Sequence, residues 1–461
     1  MTSRAPATFW VETLGCPKNA VDSDKVTASL VADGLEPARS AAAAELVVVN
    51  TCAFVEAARE ESIAVTLTLA EQRKRGARIV VTGCMAERYG EELAAALPEV
   101  DGVVGFAGEG ELSVFSGAGG ARQGASGRGR GIPVRSERPR RGGVKDLLEL
   151  PRAAPSGPWA YLKIAEGCDR ACAFCAIPSF RGKQRSREPD ALVAEARSLV
   201  EGGVTELVLV AQDLAWYGRD AGEPGALAPL LARLDAELAP EGLARIRLLY
   251  LYPSEVRDPL VATMLDTPTV AAYFDLSLQH ADRALLARMK RWGSGERFLE
   301  IIGGIREREP DATFRSSFIV GFPGETEPAH DALLAFLDDA ALDWAGFFPF
   351  SEEAGTPAAS LDGAIAPELM AERLRECDEL QVGITMRARD RLVRDGAEIE
   401  VLVDTVDPDG TAIGRSYREA PEIDAVVRLP RAHARAGSLV RAKVTEVEGL
   451  DVVASAIEVL S

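Results

Sequence analysis

Cysteines are the residues of this 461-residue chain whose spacing most clearly predicts chemistry, and six of the seven form two sets of three. One set is compact, in GCDRACAFC with the spacing CxxxCxxC: Cys168, Cys172 and Cys175. The other is dispersed, in LGCPKNAVDSD, NTCAF and TGCMAE: Cys16, Cys52 and Cys84. A cubane cluster has four irons, so three thiolates leave one iron open, whereas electron-transfer clusters usually have four thiolates. The compact set therefore predicts a 4Fe–4S cluster with an iron at which chemistry can occur. The dispersed set is either a second site of this kind or three ordinary buried cysteines.

Other uses of the compact set fit less well. Structural zinc sites usually combine two Cys or His pairs, and no second pair accompanies this motif. The three histidines, His280, His330 and His433, are all distant from it in sequence. Disulfides are rare in reducing compartments, so an iron–sulfur cluster is the favoured interpretation.

Composition limits the location and the partners of the protein. The chain is 47% hydrophobic and 27% charged, and its net charge is −19. The longest apolar runs, such as ELVVVN, have the length of a strand and not of a membrane span, and the N-terminus lacks the pattern of a signal peptide. We therefore expect a cytoplasmic protein without membrane contact. The negative charge argues against general nucleic-acid binding and suits a basic protein partner.

The elements that must position the dispersed cysteines alternate between strand and helix. TFWVETLG, AELVVVNTCAF and ARIVVTGCM read as buried strands of a parallel α/β sheet in a domain spanning 1–115. Each dispersed cysteine comes at or just after the end of one strand. Ligand sites gather at the carboxyl ends of strands in such sheets, so we expect the three cysteines to converge.

A Gly- and Arg-rich segment, 116–150, follows as a predicted linker. Its 116–145 portion holds eight Arg or Lys against one Glu. A solvated flexible connection is the simplest interpretation. Contact with rRNA or a ribosomal surface is the alternative that the charge allows.

The central region, 151–390, contains six predicted β/α units, too few for a closed eight-stranded barrel. We expect an open (β/α)6 partial barrel, with the CxxxCxxC loop after its first strand, at the mouth. The last region, 391–461, shows five short strands typical of a small OB-like β-barrel. Residues 393–461 contain eight Arg or Lys against thirteen Asp or Glu, whereas an RNA-binding barrel should be basic. The predicted fold class is thus multidomain α/β with a C-terminal β-barrel.

The compact motif on the first loop of a partial barrel resembles the radical S-adenosylmethionine (SAM) superfamily. The resemblance implies that the open iron binds the methionyl end of SAM, which is cleaved to a 5′-deoxyadenosyl radical, and it makes Cys168, Cys172 and Cys175 catalytic. It also implies an aromatic contact with adenine by Phe174 and, in SSFIVGFPGE, backbone packing at Ile319 and Gly321. Polar residues predicted at strand ends are candidates for binding the SAM ribose and carboxylate, or are ordinary residues of the barrel mouth: Gln212, Ser277, Gln279 and Arg315. The basic run RGKQRSR could contact an acidic substrate loop or the SAM carboxylate, or form a solvated turn.

The contexts of Cys16, Cys52 and Cys84 resemble the N-terminal domain of methylthiotransferases. In that family this domain holds a second 4Fe–4S cluster whose open iron carries the transferred sulfur, and a C-terminal TRAM domain follows the radical SAM domain. The resemblance covers nearly the whole chain. Cys377, in LRECDELQ, lies in a helical segment away from both sets and is predicted to be structural.

Two branches of the family compete, one acting on adenosine in tRNA and the other, RimO-type, on an aspartate of small-subunit ribosomal protein twelve. AIPSFRG, QDLAWYGRD and LQHAD resemble the second branch, and the acidic C-terminal barrel suits a basic protein. The implied reaction places a methylthio group on the aspartate β-carbon, with an electron donor such as flavodoxin or ferredoxin and a sulfur source as further partners. A non-catalytic iron–sulfur adaptor that docks on ribosomes is the alternative outside enzymes.

Overall fold

The computed structural model describes residues 7–116, 134–135 and 147–460. Most of the predicted linker 116–150, including its basic run, lies outside the described residues. The described chain divides into two compact units. The first comprises the chain up to residue 153 together with 166–169 and 175–183, and the second comprises 154–165, 170–174 and the chain from 184 onward. No helix in the described ranges is both long enough and apolar enough to cross a membrane.

The first unit is built on a parallel sheet of six strands in the order β2-β1-β3-β4-β5-β6. The strands are β1 (Thr8–Thr13), β2 (Glu36–Pro37), β3 (Leu46–Thr51), β4 (Arg78–Gly83), β5 (Gly102–Val104) and β6 (Val134–Arg135). The helices are α1 (Pro17–Ala32), α2 (Glu56–Gln72), α3 (Cys84–Ala96) and the short α4 (Ile177–Arg181), with 3-10 helices at Ala41–Ala43, Phe106–Ser116 and Leu147–Glu149. The α/β prediction for this region is confirmed.

Both faces of this sheet are buried, as expected for parallel strands. In β3, Val47 and Val49 face one apolar core, and Leu46 and Val48 face the other. Helix α3 covers the first face, and α1 covers the second through Val26 and Leu30. The strand order reverses between β1 and β3, which is the switch point at which doubly wound sheets bind ligands.

The second unit begins with six parallel strands in two linked sheets, β11-β10-β7 and β12-β13-β14. These six strands are β7 (Trp159–Lys163), β10 (Glu206–Val210), β11 (Arg245–Leu248), β12 (Tyr273–Gln279), β13 (Thr313–Val320) and β14 (Trp344–Pro349). Two short strands, β8 (Ala165–Glu166) and β9 (Arg185–Ser186), pair separately. A parallel bridge between Leu251 and Leu276 joins the two sheets. Among the described strands β7 and β14 do not pair, so the six-stranded barrel is open, as predicted.

Helices between these strands cover the outside of the partial barrel. They are α5 (Pro189–Glu201), α6 (Leu227–Leu238), α7 (Asp258–Asp266), α8 (Arg283–Arg288), α9 (Gly295–Arg308), α10 (Glu327–Ala340) and α11 (Pro367–Arg394). Short 3-10 helices occur at Leu214–Trp216, Arg219–Ala221, Ala239–Glu241, Pro253–Glu255 and Pro357–Ser360. The apolar core lies between strands and helices and includes Cys377, which is fully buried on α11 as a structural cysteine.

The chain ends in a closed five-stranded barrel in the order β15-β16-β17-β19-β18, as predicted. Its strands are β15 (Glu398–Val406), β16 (Ala412–Arg415), β17 (Val427–Leu429), β18 (Leu439–Glu448) and β19 (Asp451–Val459). Only β17 and β19 pair in parallel; the other pairs are antiparallel. Closure removes the exposed edges of the sheet.

Candidate metal centres

The dispersed cysteines follow three adjacent strands of the first unit at their carboxyl ends. Cys16 comes shortly after β1, Cys52 directly after β3, and Cys84 directly after β4. Because β1, β3 and β4 are neighbours in the sheet, the three residues lie along one edge beside the switch point. The predicted convergence therefore has a topological basis.

Two glycines allow the cysteine loops to approach one another. Gly15 and Gly83, which precede Cys16 and Cys84, have φ angles of +92° and +86°, a region that side chains other than glycine rarely adopt. A Cβ on Gly83 would lie 2.2 Å from Oδ1 of Asn50. Any side chain at these positions would displace the loops.

Two buried asparagines fix the same loops and were missed by the sequence analysis. Asn19 donates from Nδ2 to the carbonyls of Leu14, at 2.9 Å, and Thr51, at 3.1 Å. Asn50 donates to the carbonyl of Asn19 at 2.9 Å. The loops after β1 and β3 are thus held by hydrogen bonds across the switch point. Asn19, in CPKN, and Asn50, in VVNTC, each lie within three residues of a cysteine, which is the only sequence signal for this role.

The three thiols influence one another electrostatically. Burial raises the pKa of Cys16, but the positive charges of Lys18 and Arg181 outweigh it, and the pKa is lowered overall. Burial and the charge of Cys16 raise the pKa of Cys52. Burial raises the pKa of Cys84 to about 12 against the opposing charge of Arg181, and the charges of Cys16 and Cys52 add to the rise. Mutual repulsion of this kind is expected where three thiolates share a site.

Arg181, the first residue of the basic run RGKQRSR, is a third residue that the sequence analysis did not assign to this site. It ends α4, and its guanidinium donates to Sγ of Cys84 from Nη2, at 3.0 Å, and from Nε, at 3.3 Å. The side chain is 3% exposed. The expectation of a solvated turn or a contact with substrate or SAM is therefore wrong for Arg181: its partners are buried groups of the first unit, which are distant in sequence.

The compact motif occupies the loop after β8. The backbone N–H of Cys168 donates to the carbonyl of Gly182 at 3.1 Å in the first unit. In the second unit, Sγ of Cys172 accepts a hydrogen bond from Nη1 of Arg291 at 3.4 Å. No disulfide joins any of the seven cysteines, all of which are described.

Arginine and aromatic side chains alternate at the mouth of the partial barrel. The Arg170 guanidinium lies 3.9 Å from the ring centre of Trp216 and 3.8 Å from that of Tyr252. Arg219 stacks on the same Trp216 at 4.0 Å, and Arg291 on the same Tyr252 at 3.9 Å. Asp213 accepts from Arg170 at 2.7 Å. The series thus extends from the exposed Arg219 to Arg291, which contacts Cys172.

Six of the seven predicted SAM residues lie at the mouth of the barrel or beside its core, and Arg315 does not. Ser277 and Gln279 lie at the carboxyl end of β12, Gln212 follows β10, and Ile319 and Gly321 lie at the end of β13. Phe174 packs against the barrel core. Gly321 has φ +79°, donates to Glu325, and has Met370 where a Cβ would lie.

Arg315 corrects the expectation that it shares this end of the barrel. It is the third residue of β13, near the amino end of the strand. Its guanidinium pairs with Asp275 at 3.2 Å and with Asp424 at 3.5 Å. These two carboxylates are its partners among the described residues.

The donor sets fit the predicted groups. Cationic side chains beside buried thiols suit an anionic iron–thiolate cluster. At the barrel mouth, Oδ1 of Asp213 and Nε of Arg291 are buried without hydrogen-bond partners among the described residues, as expected where a polar ligand binds. No three His, Cys, Asp or Glu side chains among the described residues are grouped so that they could hold one metal ion in common. A cubane binds its thiolates at separate corners, so its cysteines need not meet at one point.

Three family models match the chain in succession. Residues 8–105 match the uncharacterized protein family UPF0004, residues 162–337 the radical SAM superfamily, and residues 396–457 the TRAM domain. Among solved structures, the radical SAM methyltransferase TsrM from Kitasatospora setae has a TM-score of 0.52 at 16% identity, with 77% of each chain covered. Cobalamin-dependent OxsB has a TM-score of 0.50 at 12% identity over 82% of this chain and 56% of that chain. These likenesses support the fold.

Curated relatives match over almost their whole length. The ribosomal protein uS12 methylthiotransferase RimO of Salinispora arenicola is 42% identical, with 96% of this chain and 94% of the relative covered. Its counterpart in Kineococcus radiotolerans is 41% identical, over 98% and 97% of the two chains. The relative in Streptomyces coelicolor is 41% identical, over 96% and 95%. With this identity over all three matched regions, the chain belongs to the RimO family of radical SAM methylthiotransferases.

Proposed function

We propose that this protein transfers a methylthio group to the β-carbon of an aspartate in ribosomal protein uS12. The observation that carries the proposal is about 40% identity, over nearly the full length, to relatives named for uS12 methylthiotransfer. The two cysteine sets give the same chemistry an independent basis in residues, because the reaction needs both a radical source and a sulfur carrier.

Each cysteine set would hold one 4Fe–4S cluster. Cys168, Cys172 and Cys175 would bind the cluster that binds SAM. Cys16, Cys52 and Cys84 would bind the cluster that carries sulfur. When bound, the two clusters and SAM supply the radical chemistry and the sulfur.

The residues of this chain hold and shield these groups. Lys18 and Arg181 place positive charge beside the buried thiolates of the first unit. At the barrel mouth, the polar ends of Ser277 and Gln279 and the backbone around Ile319 and Gly321 would orient SAM, with Phe174 against its adenine. Gln212 would contribute a further polar group. The packed Arg170, Trp216 and Tyr252 side chains would limit the access of water to the reacting atoms.

The C-terminal barrel favours a basic protein over an RNA. Glu446 and Glu448 on β18 are exposed, and Glu448 lies opposite Asp451 on β19. Glu398 and Glu400 on β15 are also exposed, but they lie opposite Lys443 and Arg441, so the acidic surface is the one around Glu446 and Glu448. Such a surface repels phosphates and attracts a basic ribosomal protein, chiefly by raising the rate of encounter. We expect the protein to act in the cytoplasm, with flavodoxin or ferredoxin as electron donor and a separate sulfur source.

Anaerobic incubation with purified substrates tests this function. Reconstituted protein, SAM, reductant and a sulfur source are mixed separately with uS12 and with tRNA. The masses of the uS12 and tRNA products are then measured by mass spectrometry. We expect a methylthio gain on one uS12 aspartate, lost in Cys52→Ala and in Cys172→Ala and kept in the matched Cys377→Ala. A methylthio gain on tRNA and none on uS12 would overturn the substrate assignment.

A further inference from the structure

Arg181 contacts a cysteine of the dispersed set directly. Two of its N–H groups point at one sulfur, with Nη2 at 3.0 Å and Nε at 3.3 Å from Sγ of Cys84. A guanidinium presents its donors in a rigid planar fork. Both contacts therefore depend on a single orientation of that plane.

The remaining donors of Arg181 fix this orientation. Nη1 donates to both carboxylate oxygens of Glu166, at 2.8 and 2.9 Å, and to Asp22 at 3.2 Å. Nη2 also donates to Oδ1 of Asn19 at 2.6 Å. The ring of Phe106 covers one face of the guanidinium at 4.8 Å. All three nitrogens are engaged in a buried site, so the side chain cannot turn away from Cys84 without breaking its ion pairs with Glu166 and Asp22.

The backbone that carries Arg181 is itself anchored. Helix α4 begins shortly after Cys175, and Ala176 and Phe180 are buried in the same apolar core as Val49 and Val81 of the sheet. Arg181 therefore reaches Cys84 from the segment that immediately follows the compact cysteine motif. The contact between Arg181 and Cys84 therefore depends on buried, packed backbone of the first unit and is not a surface ion pair.

We propose that Arg181 is the positioning residue of the sulfur-carrying cluster, holding the Cys84 thiolate in place and raising the reduction potential of that cluster. The inference rests on the proposed function, since it assumes a cluster on Cys16, Cys52 and Cys84. Hydrogen bonds to a ligating sulfur and a nearby positive charge both favour the reduced, more negative state of a cluster. Charge-assisted donors are stronger than neutral ones, so the effect of Arg181 should exceed that of a backbone N–H.

The test isolates one cluster. In full-length protein with Cys168, Cys172 and Cys175 changed to Ala, only the dispersed set can hold iron, and the potential is measured by EPR-monitored redox titration. We expect Arg181→Gln to shift the potential to a more negative value, and Arg181→Lys, which keeps the charge but not the fork, to shift it less. Arg73→Gln is the matched control, because Arg73 pairs with Asp101 near the opposite end of β4, at 2.8 Å. It should leave the potential unchanged.

A second comparison keeps the buried charges balanced and is used if Arg181→Gln does not fold. Glu166→Gln is compared with Arg181→Met/Glu166→Gln, which removes one charge of each sign. We expect the double variant to have the more negative potential, or to lose iron while its metal-free fold, by circular dichroism, is kept. Full iron with an unchanged potential would overturn the role of Arg181 and leave the proposed function intact. Absence of iron from the parent with three Cys→Ala changes would instead overturn the cluster on which both proposals rest.

Discussion

Gly15 and Cys52 are in such close contact that a Cβ on Gly15 would lie 2.6 Å from Cβ of Cys52 and 2.9 Å from its sulfur. The loop after β1 and the loop after β3 therefore meet at the dispersed cysteines with no room for another atom. This contact shows how residues distant in sequence come to share one edge of the sheet.

Gly15→Ala should disrupt the site of the dispersed set while leaving the compact set intact. The substitution destabilises this loop in two ways: alanine is strained at a positive φ angle, and its Cβ would collide with Cys52. We expect iron content to fall from about eight to about four per chain, with SAM cleavage retained. Gly34→Ala is the matched control, since Gly34 has φ +86° and open space where its Cβ would lie. Equal iron in both variants would show that the close approach does not matter for assembly.

Arg291→Gln should impair SAM cleavage. Arg291 donates to Sγ of Cys172 at 3.4 Å and to the carbonyl of Ser277, and stacks on Tyr252. Losing one charge-assisted hydrogen bond costs about 1.5–3 kcal/mol, which corresponds to roughly a 10- to 150-fold lower rate. The rate of 5′-deoxyadenosine formation measures this. Arg297→Gln, an exposed change on α9, should have no effect, and a normal rate in Arg291→Gln would exclude a role for this contact.

Glu206 should make the stability of the chain depend on pH in acid. Burial raises its pKa, but Arg415, Arg247 and Arg245 overcome this and lower it to about 2 from the ordinary 4.5. Because the folded pKa is depressed, the stabilisation is fully present above about pH 4.5 and is lost as pH falls toward 2, by about 3 kcal/mol in all.

Denaturant unfolding of the metal-free chain at several pH values measures this effect. Glu206→Gln should be less stable near neutral pH, by about 3–5 kcal/mol, because it removes the buried carboxylate that pairs with Arg247 and Arg415. It should also lose the part of the pH dependence that Glu206 supplies. Glu237→Gln, which breaks exposed ion pairs with Arg197 and Arg233, should keep that dependence. An unaltered pH profile in Glu206→Gln would refute the assignment.

The acidic face of the C-terminal barrel should strengthen binding of the substrate protein. Glu446→Lys/Glu448→Lys should raise KM for uS12 several-fold at low ionic strength, with the difference shrinking in high salt. The rate of SAM cleavage without uS12 should not change. Glu296→Lys/Glu307→Lys on α9, two exposed positions, makes the same change in net charge and is the control. A lower KM for uS12 in the double variant would be contrary to an electrostatic role for this face.

The strands that position the cysteines could mostly be predicted from the sequence, whereas the side chains that contact the cysteines could not. Strands β1, β3 and β4, the open barrel and the five final strands carry long apolar or alternating patterns, so they were predictable. Strands β2, β5 and β6 have two or three residues each, too few for any periodicity. Helix α1 begins at Pro17, because proline suits the first turn of a helix.

Arg181 and Arg315 show why side-chain roles were harder to predict. Both were read from their neighbours in sequence. Arg181 was part of a basic run that could contact the substrate or SAM or form a solvated turn, and Arg315 was either a SAM contact or an ordinary residue of the barrel mouth. Their partners, Cys84 and Asp22 for Arg181 and Asp275 and Asp424 for Arg315, lie far away along the chain. Burial of a charge depends on such tertiary partners, and no local pattern reports them.

Iron content of anaerobically purified protein is the most direct measurement of whether the two cysteine sets form two separate cluster sites. We predict about eight irons per chain in the natural protein and about four in each of two variants, Cys16, Cys52 and Cys84 to Ala, and Cys168, Cys172 and Cys175 to Ala. Cluster spectra should differ between the two variants, and only the first should cleave SAM. About four irons in the natural protein, or zinc in place of iron, would contradict the two-cluster assignment.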